Sequence, residues 1–172
     1  MEREYESIVS DRLKKIESGL AVQYRLLGAA EDGINQSQSS IDRERYEISI
    51  EAEIKPKIRC FEEQYFVFVE GILGDRVFQE EDVDLVLKNF SSEIERINRR
   101  PDNYPEEFLK LLEQINEKLS QPNVTADAKL KASISLLPPF IGLSYDAQLD
   151  TEGFCRKYFP NFVKLLKRSK KK

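Results

Sequence analysis

Histidine is absent from all 172 residues. Its absence removes the Ser-His-Asp and Cys-His nucleophile systems, the Cys-His zinc sites and the Glu-x-x-His di-iron motif of helical bundles. Cysteine occurs twice, at Cys60 and Cys155. Two thiols cannot build a four-thiolate site, and their lack of framework spacing fits a reducing cytoplasm. The seven glycines never cluster as G-x-G-x-x-G or as the P-loop pattern, so no phosphate-cradling loop is written into the chain. No run of 18 apolar residues occurs, and the opening MEREYESIVSDR lacks the basic and apolar regions of a signal peptide. A soluble cytoplasmic protein is the expectation.

Carboxylates are abundant, but their arrangement carries no chemistry. Asp146, Asp150 and Glu152 come nearest to a ligand cluster, yet they lack the calcium-loop spacing and its glycine. Pairs such as Glu62-Glu63 and Glu80-Glu81 arise by chance among 31 acidic residues. No catalytic residue, cofactor or metal is therefore expected, and the chain reads as a non-enzyme.

What the chain does have is an apolar stripe at seven-residue spacing. Leu13, Leu20, Leu27 and Ile34 lie one heptad apart, with Ile16 and Ala30 at the intervening positions. After the polar break Ser37-Gln38-Ser39-Ser40 the pattern returns as Ile54, Phe61 and Phe68, interleaved with Ile58, Tyr65 and Ile72. Such spacing keeps a narrow seam facing a partner helix. Arg3 to Gln36 reads as one helix, interrupted in propensity by Gly19, Gly28 and Gly33. Each glycine costs about 1 kcal/mol relative to alanine but permits close helix approach. Asp42 and Ser40 are candidate N-caps of the second helix. Pro56 breaks that helix's hydrogen-bond ladder. The stripe runs Ile41, Ile48, Ala52 before the proline and restarts at Ile54 after it, so a kink that re-aims the apolar face is expected. Cys60, beside Phe61, reads as a small core residue, and Phe66 and Val67 suggest wrapping on more than one side.

A third helix carries Val83, Val86, Leu87, Phe90, Ile94 and Ile97 at helical spacing. A fourth starts near Pro105, with Phe108, Leu112, Ile115 and Leu119 on one face. From Lys129 the period changes to two: Leu130, Ala132, Ile134 and Leu136, then Leu143, Tyr145, Ala147 and Leu149, around Pro138-Pro139 and Gly142. This reads as a β-hairpin, although Leu130, Ile134 and Leu137 also fit a helical face. A last helix, with Thr151 as candidate N-cap and Pro160 as an interruption, presents Phe154, Tyr158, Phe162 and Leu165. The expected fold is mainly α (α+β): a long helical hairpin or coiled coil over 1–74, then over 75–172 a small helical region, a β-hairpin and a basic C-terminal helix.

The net charge of −4 hides an asymmetry. The last twenty residues carry eight basic side chains and no acidic one, while the other 152 hold 19 basic against 31 acidic groups, a net of −12. Arg156, Lys157, Lys164, Lys167 and Arg168 could contact an anionic surface, as interfacial helices do. Packing of the aromatic face into the core is the favoured alternative. The acidic body argues against nucleic acid. Cys155, beside Arg156 and Lys157, has the basic neighbours that lower a thiol pKa, but no resolving cysteine.

The stretch IESGLAVQYRLLGAAEDGINQSQSSIDRERYEISIEAEIKPKIRCFEEQYFVFV resembles the helical-hairpin modules that accompany effector domains in multidomain bacterial signalling proteins. KLKASISLLPPFIGLSYDAQLDTEGFCRKYFPNFVKLLK is similar to a unit found in the same company. This resemblance implies an adaptor or effector-associated role, with no catalytic residue to carry over. No effector domain is present in the chain, so action alone and action in trans stay open. The function expected is a non-catalytic protein–protein interaction module, adaptor or scaffold, acting by helix pairing with a partner or by self-association. Its interaction seam is Leu13, Leu20, Leu27, Phe61, Tyr65 and Phe68. A peripheral membrane-associated protein using the basic C-terminal segment is the alternative.

Overall fold

A computed structural model of the chain describes residues 2–149 and 152–172. It is mainly helical with a small β part. The chain divides into two compact units, Met1–Tyr65 and Phe66–Lys172.

The first unit is a helical hairpin. Helix α1 (Glu2–Gln36) is followed by α2 (Ser40–Ser49), a π-helical turn over Ile50–Ile54, and the first part of α3 (Lys55–Leu73). Ser39, rather than Ser40 or Asp42, caps α2: its side chain accepts from the Asp42 backbone N–H, while Asp42 lies in the first turn. The pairing is antiparallel. A Cβ on Gly33 would meet the Tyr46 ring and one on Gly19 the Phe61 ring, so partner numbers rise as α1 numbers fall. Those two glycines are the close-approach positions expected of them; Gly28 has open space beside it.

The break at Pro56 takes a specific form. In a regular α-helix the proline ring would collide with the carbonyl four residues back, at Ala52. The turn immediately before widens to π geometry, with the Lys55 N–H bonded to the Ile50 carbonyl. A π turn inserts one extra residue and rotates everything after it, and the buried positions become Ile50, Ile54 and Ile58. The upstream stripe expected from Ile41, Ile48 and Ala52 does not face α1: all three are exposed, and α2 buries no residue of its own. The side of α2 that meets α1 carries Tyr46, whose ring lies over Gly33, and the first buried residue after it is Ile50 in the π turn. Cys60 is exposed, and so is Val67, whereas Phe66 is buried. Neither Cys60 nor Val67 is a core residue, because both point away from the faces that Ile58, Tyr65 and Phe66 define.

The second unit gathers the end of α3, α4 (Glu80–Asn98), a 3-10 turn at Pro101–Asn103, α5 (Glu106–Ser120), α6 (Ala126–Ser135), α7 (Leu137–Asp146) and α8 (Glu152–Arg168). α4 packs against α6 and α8, and α5 against α6 and α7. The expected stripes are buried at Val83, Val86, Phe90, Ile94 and Ile97 on α4, and at Phe108, Leu112 and Ile115 on α5.

Residues 130–149 are not a β-hairpin; they form α6 and α7. Thr125 caps α6 by accepting from the Ala128 N–H, and Leu130, Ile134 and Leu137 are buried, which is the helical phase. Pro138 falls in the first turn of α7, where a missing N–H costs nothing. The β structure lies elsewhere: β1 (Arg76–Val77) pairs antiparallel with β2 (Lys170–Lys171), Arg76 opposite Lys171 and Val77 opposite Lys170. Pro160 does not interrupt α8, which runs through it. The proposed cap Thr151 and the carboxylate of Asp150 lie outside the described residues.

The core of the second unit is aromatic. The ring of Phe162 packs edge-on against Phe66 (5.1 Å between centroids), and those of Phe90 and Phe154 lie 5.6 Å apart. The chain continues through Phe140, 6.0 Å from Phe154, to Phe108, 5.2 Å further on.

Candidate interaction surfaces

In the hairpin, Leu20 and Tyr65 are fully buried (0% exposed each) and Leu27 nearly so, while Leu13 and Phe61 are half-buried at its margin. Phe68 is half-buried in the second unit. The structure therefore brings Leu13, Leu20, Leu27, Phe61 and Tyr65 into one unit and leaves Phe68 in the other.

Polar groups are threaded through the hairpin seam. The Tyr24 hydroxyl donates to the Glu62 carboxylate at 2.8 Å, and Glu62 is almost wholly buried. Burial pushes the Tyr65 phenol well above its ordinary pKa, and the Glu17 carboxylate adds to that shift. The sequence carries a signal for Glu62 that periodicity counting passes over: it stands four residues after Ile58, in the buried series Ile50, Ile54, Ile58. A polar residue at a seam position trades stability for register.

The basic C-terminal residues divide. Asp82, only 2% exposed, receives Arg168 at 3.2 Å and Lys164 at 3.6 Å on one carboxylate oxygen. Arg76 donates to the Ser169 hydroxyl at 3.5 Å, and the Lys172 N–H bonds the Asp75 carbonyl at 2.9 Å. Lys164 and Arg168 are thus engaged within the unit, Arg156 is half-buried, and Lys157 and Lys167 face solvent. On the opposite side of α8, Phe154, Cys155, Phe159, Phe162, Leu165 and Leu166 are buried. Cys155 lies in that core, away from solvent oxidants, despite its basic neighbours.

Two hollows of the second unit have described linings. A void of about 10 Å³ among Phe90, Glu93, Leu112 and Phe140 holds at most one water. An open groove of about 340 Å³ at the junction of α4, the 3-10 turn and α5 offers Glu113 and the amides of Asn98 and Asn116. No nucleophile lies beside them in the lining. Among the described residues no group of three or more Cys, Asp or Glu is placed to hold a metal ion, and no helix is long and apolar enough to cross a membrane.

Large apolar side chains are exposed mainly along the hairpin: Tyr5, Ile8, Val22 and Leu26 on α1, and Ile41, Tyr46 and Ile48 on α2. Compared with family models, with curated proteins and with solved structures, the chain matches none.

Proposed function

We propose that the protein is a non-catalytic interaction module, an adaptor or scaffold that works in the cytoplasm by offering its helical hairpin to another helix. The observation that carries this reading is the concentration of exposed large apolar residues on the hairpin, among them Val22 and Leu26 on α1 and Ile41 and Ile48 on α2. Single exposed apolar residues need no explanation, but seven large ones on the two helices of one hairpin make it a candidate interface. The resemblance to hairpins that accompany bacterial signalling effectors points the same way. Burial of the α8 aromatic face favours this reading over a lipid-bound peripheral protein, since those rings already have a core to occupy.

Purification of the tagged full chain under native conditions tests the reading. The expected result is a stoichiometric protein partner or a second copy, retained by the wild type and lost when the exposed pair that holds it is charged, in Val22→Glu/Leu26→Glu or in Ile41→Glu/Ile48→Glu. A chain that stays monomeric and retains nothing at stoichiometric level would overturn it. Flotation with acidic vesicles that salt reverses would put the membrane-associated reading in its place.

A further inference from the structure

The outward face of α2 has a composition that specifies its own partner. At about 100° per residue, Ile41 and Ile48 lie roughly 20° apart and roughly 140–160° from Tyr46, whose ring packs on Gly33 of α1. They therefore point away from α1, and they are 62% and 59% exposed. Glu44 and Arg45 flank this apolar pair at the same level, about 50° to either side. Both are exposed, and Arg45 reaches Asp42 only at 3.8 Å.

We propose that this face docks a second copy of the chain through parallel, two-fold pairing of α2 with α2. Parallel two-fold symmetry stacks Ile41 on Ile41 and, one heptad on, Ile48 on Ile48. It also places Glu44 of each copy beside Arg45 of the other, on both sides of the seam. Antiparallel pairing would instead set Glu44 against Glu44 and Arg45 against Arg45, so the charge order selects the parallel form. Two isoleucines per copy make a small contact, so the association is weak and reversible. This inference rests on the interaction-module reading and names its partner.

Sedimentation of the full chain over a concentration series up to about 1 mM, with unchanged helicity checked for every variant, tests the pairing. The wild type is expected to dimerise, and Ile48→Asp to weaken this by about a hundredfold. Glu44→Arg alone and Arg45→Glu alone should each weaken it by about tenfold, because two attractive exposed pairs become repulsive. Mixing these two charge variants should restore a dimer, since each supplies the charge the other lacks. A wild-type dimer indifferent to Ile48→Asp and to both charge reversals would overturn the pairing while leaving the interaction-module reading intact. A wild type monomeric at every concentration would also overturn the pairing. The broader reading would then fail only if native purification retained no partner.

Discussion

The two units solve the same burial problem in different ways. The hairpin is only two helices wide, so its buried residues run in single file: Val9, Ile16, Leu20, Leu27 and Ala30 against Ile50, Ile54, Ile58 and Tyr65. The second unit surrounds its core, and Phe162 has aromatic neighbours in Phe66 on α3, Phe90 on α4 and Phe154 on its own helix. A single-file seam leaves apolar surface over, because two helices cannot cover all of each other's apolar faces. A surrounded core leaves little. Exposed large apolar side chains are accordingly concentrated in the hairpin.

Core truncations sharpen this contrast most. Phe162→Ala is expected to cost about 3–5 kcal/mol, and Leu20→Ala about 2–3 kcal/mol, the low end for such sites, because a narrow seam can relax around the gap. Denaturant unfolding of each variant at low protein concentration gives the comparison. If Leu20→Ala cost as much as Phe162→Ala, the seam would be enclosed on more sides than the two helices provide.

A smaller effect is expected at alkaline pH. Tyr65 holds its proton more tightly folded than unfolded, because burial and then Glu17 raise its pKa. The stability this confers is complete below the unfolded value near pH 10 and is lost as pH rises from there towards the folded value. Tyr65→Phe should therefore flatten the fall in stability above about pH 10. Thermal unfolding of both proteins across that range measures the difference, and parallel curves would remove Tyr65 as its cause.

The smallest effect separates two glycines on the same helix. Gly28→Ala should stabilise by about 1 kcal/mol, since helix propensity improves and nothing lies within 4 Å of the new Cβ. Gly33→Ala should lose that gain or reverse it, because its Cβ would stand 2.6 Å from a ring carbon of Tyr46. Equal stabilisation at both sites would mean that Tyr46 moves aside freely and that the hairpin tip is loosely packed.

Much of the architecture could be read from local pattern. Of the α1 stripe, Ile16, Leu20, Leu27 and Ala30 are buried and Leu13 and Ile34 half-buried; the α4 and α5 stripes are buried except at Leu87 and Leu119, which are half-buried. The α6–α7 region resisted such reading because Leu130, Ile134 and Leu137 satisfy a helical face while Leu130, Ala132, Ile134 and Leu136 satisfy a strand. Thr125, ahead of the ambiguous run, was the local signal for a helix start. Asp82 gave no sequence signal of its role, because its partners Lys164 and Arg168 are more than eighty residues away.

The sequence by itself determined that this chain would be mainly helical, that it would open with a heptad-patterned hairpin, and that its motifs would include no histidine or phosphate-loop chemistry. Those properties depend on residue type and on spacing within a few turns. Tertiary structure decided that the Ile41–Ile48 side of α2 turns away from α1, and it decided that residues 130–146 form helices instead of pairing as strands. It also brought Arg76–Val77 to Lys170–Lys171 across the chain. In the first two cases the local preferences were nearly balanced; in the third the partners are too distant in sequence for any local preference to act. The choice fell to packing: a glycine opposite Tyr46, a π turn ahead of Pro56, and an aromatic core that needed helices on several sides.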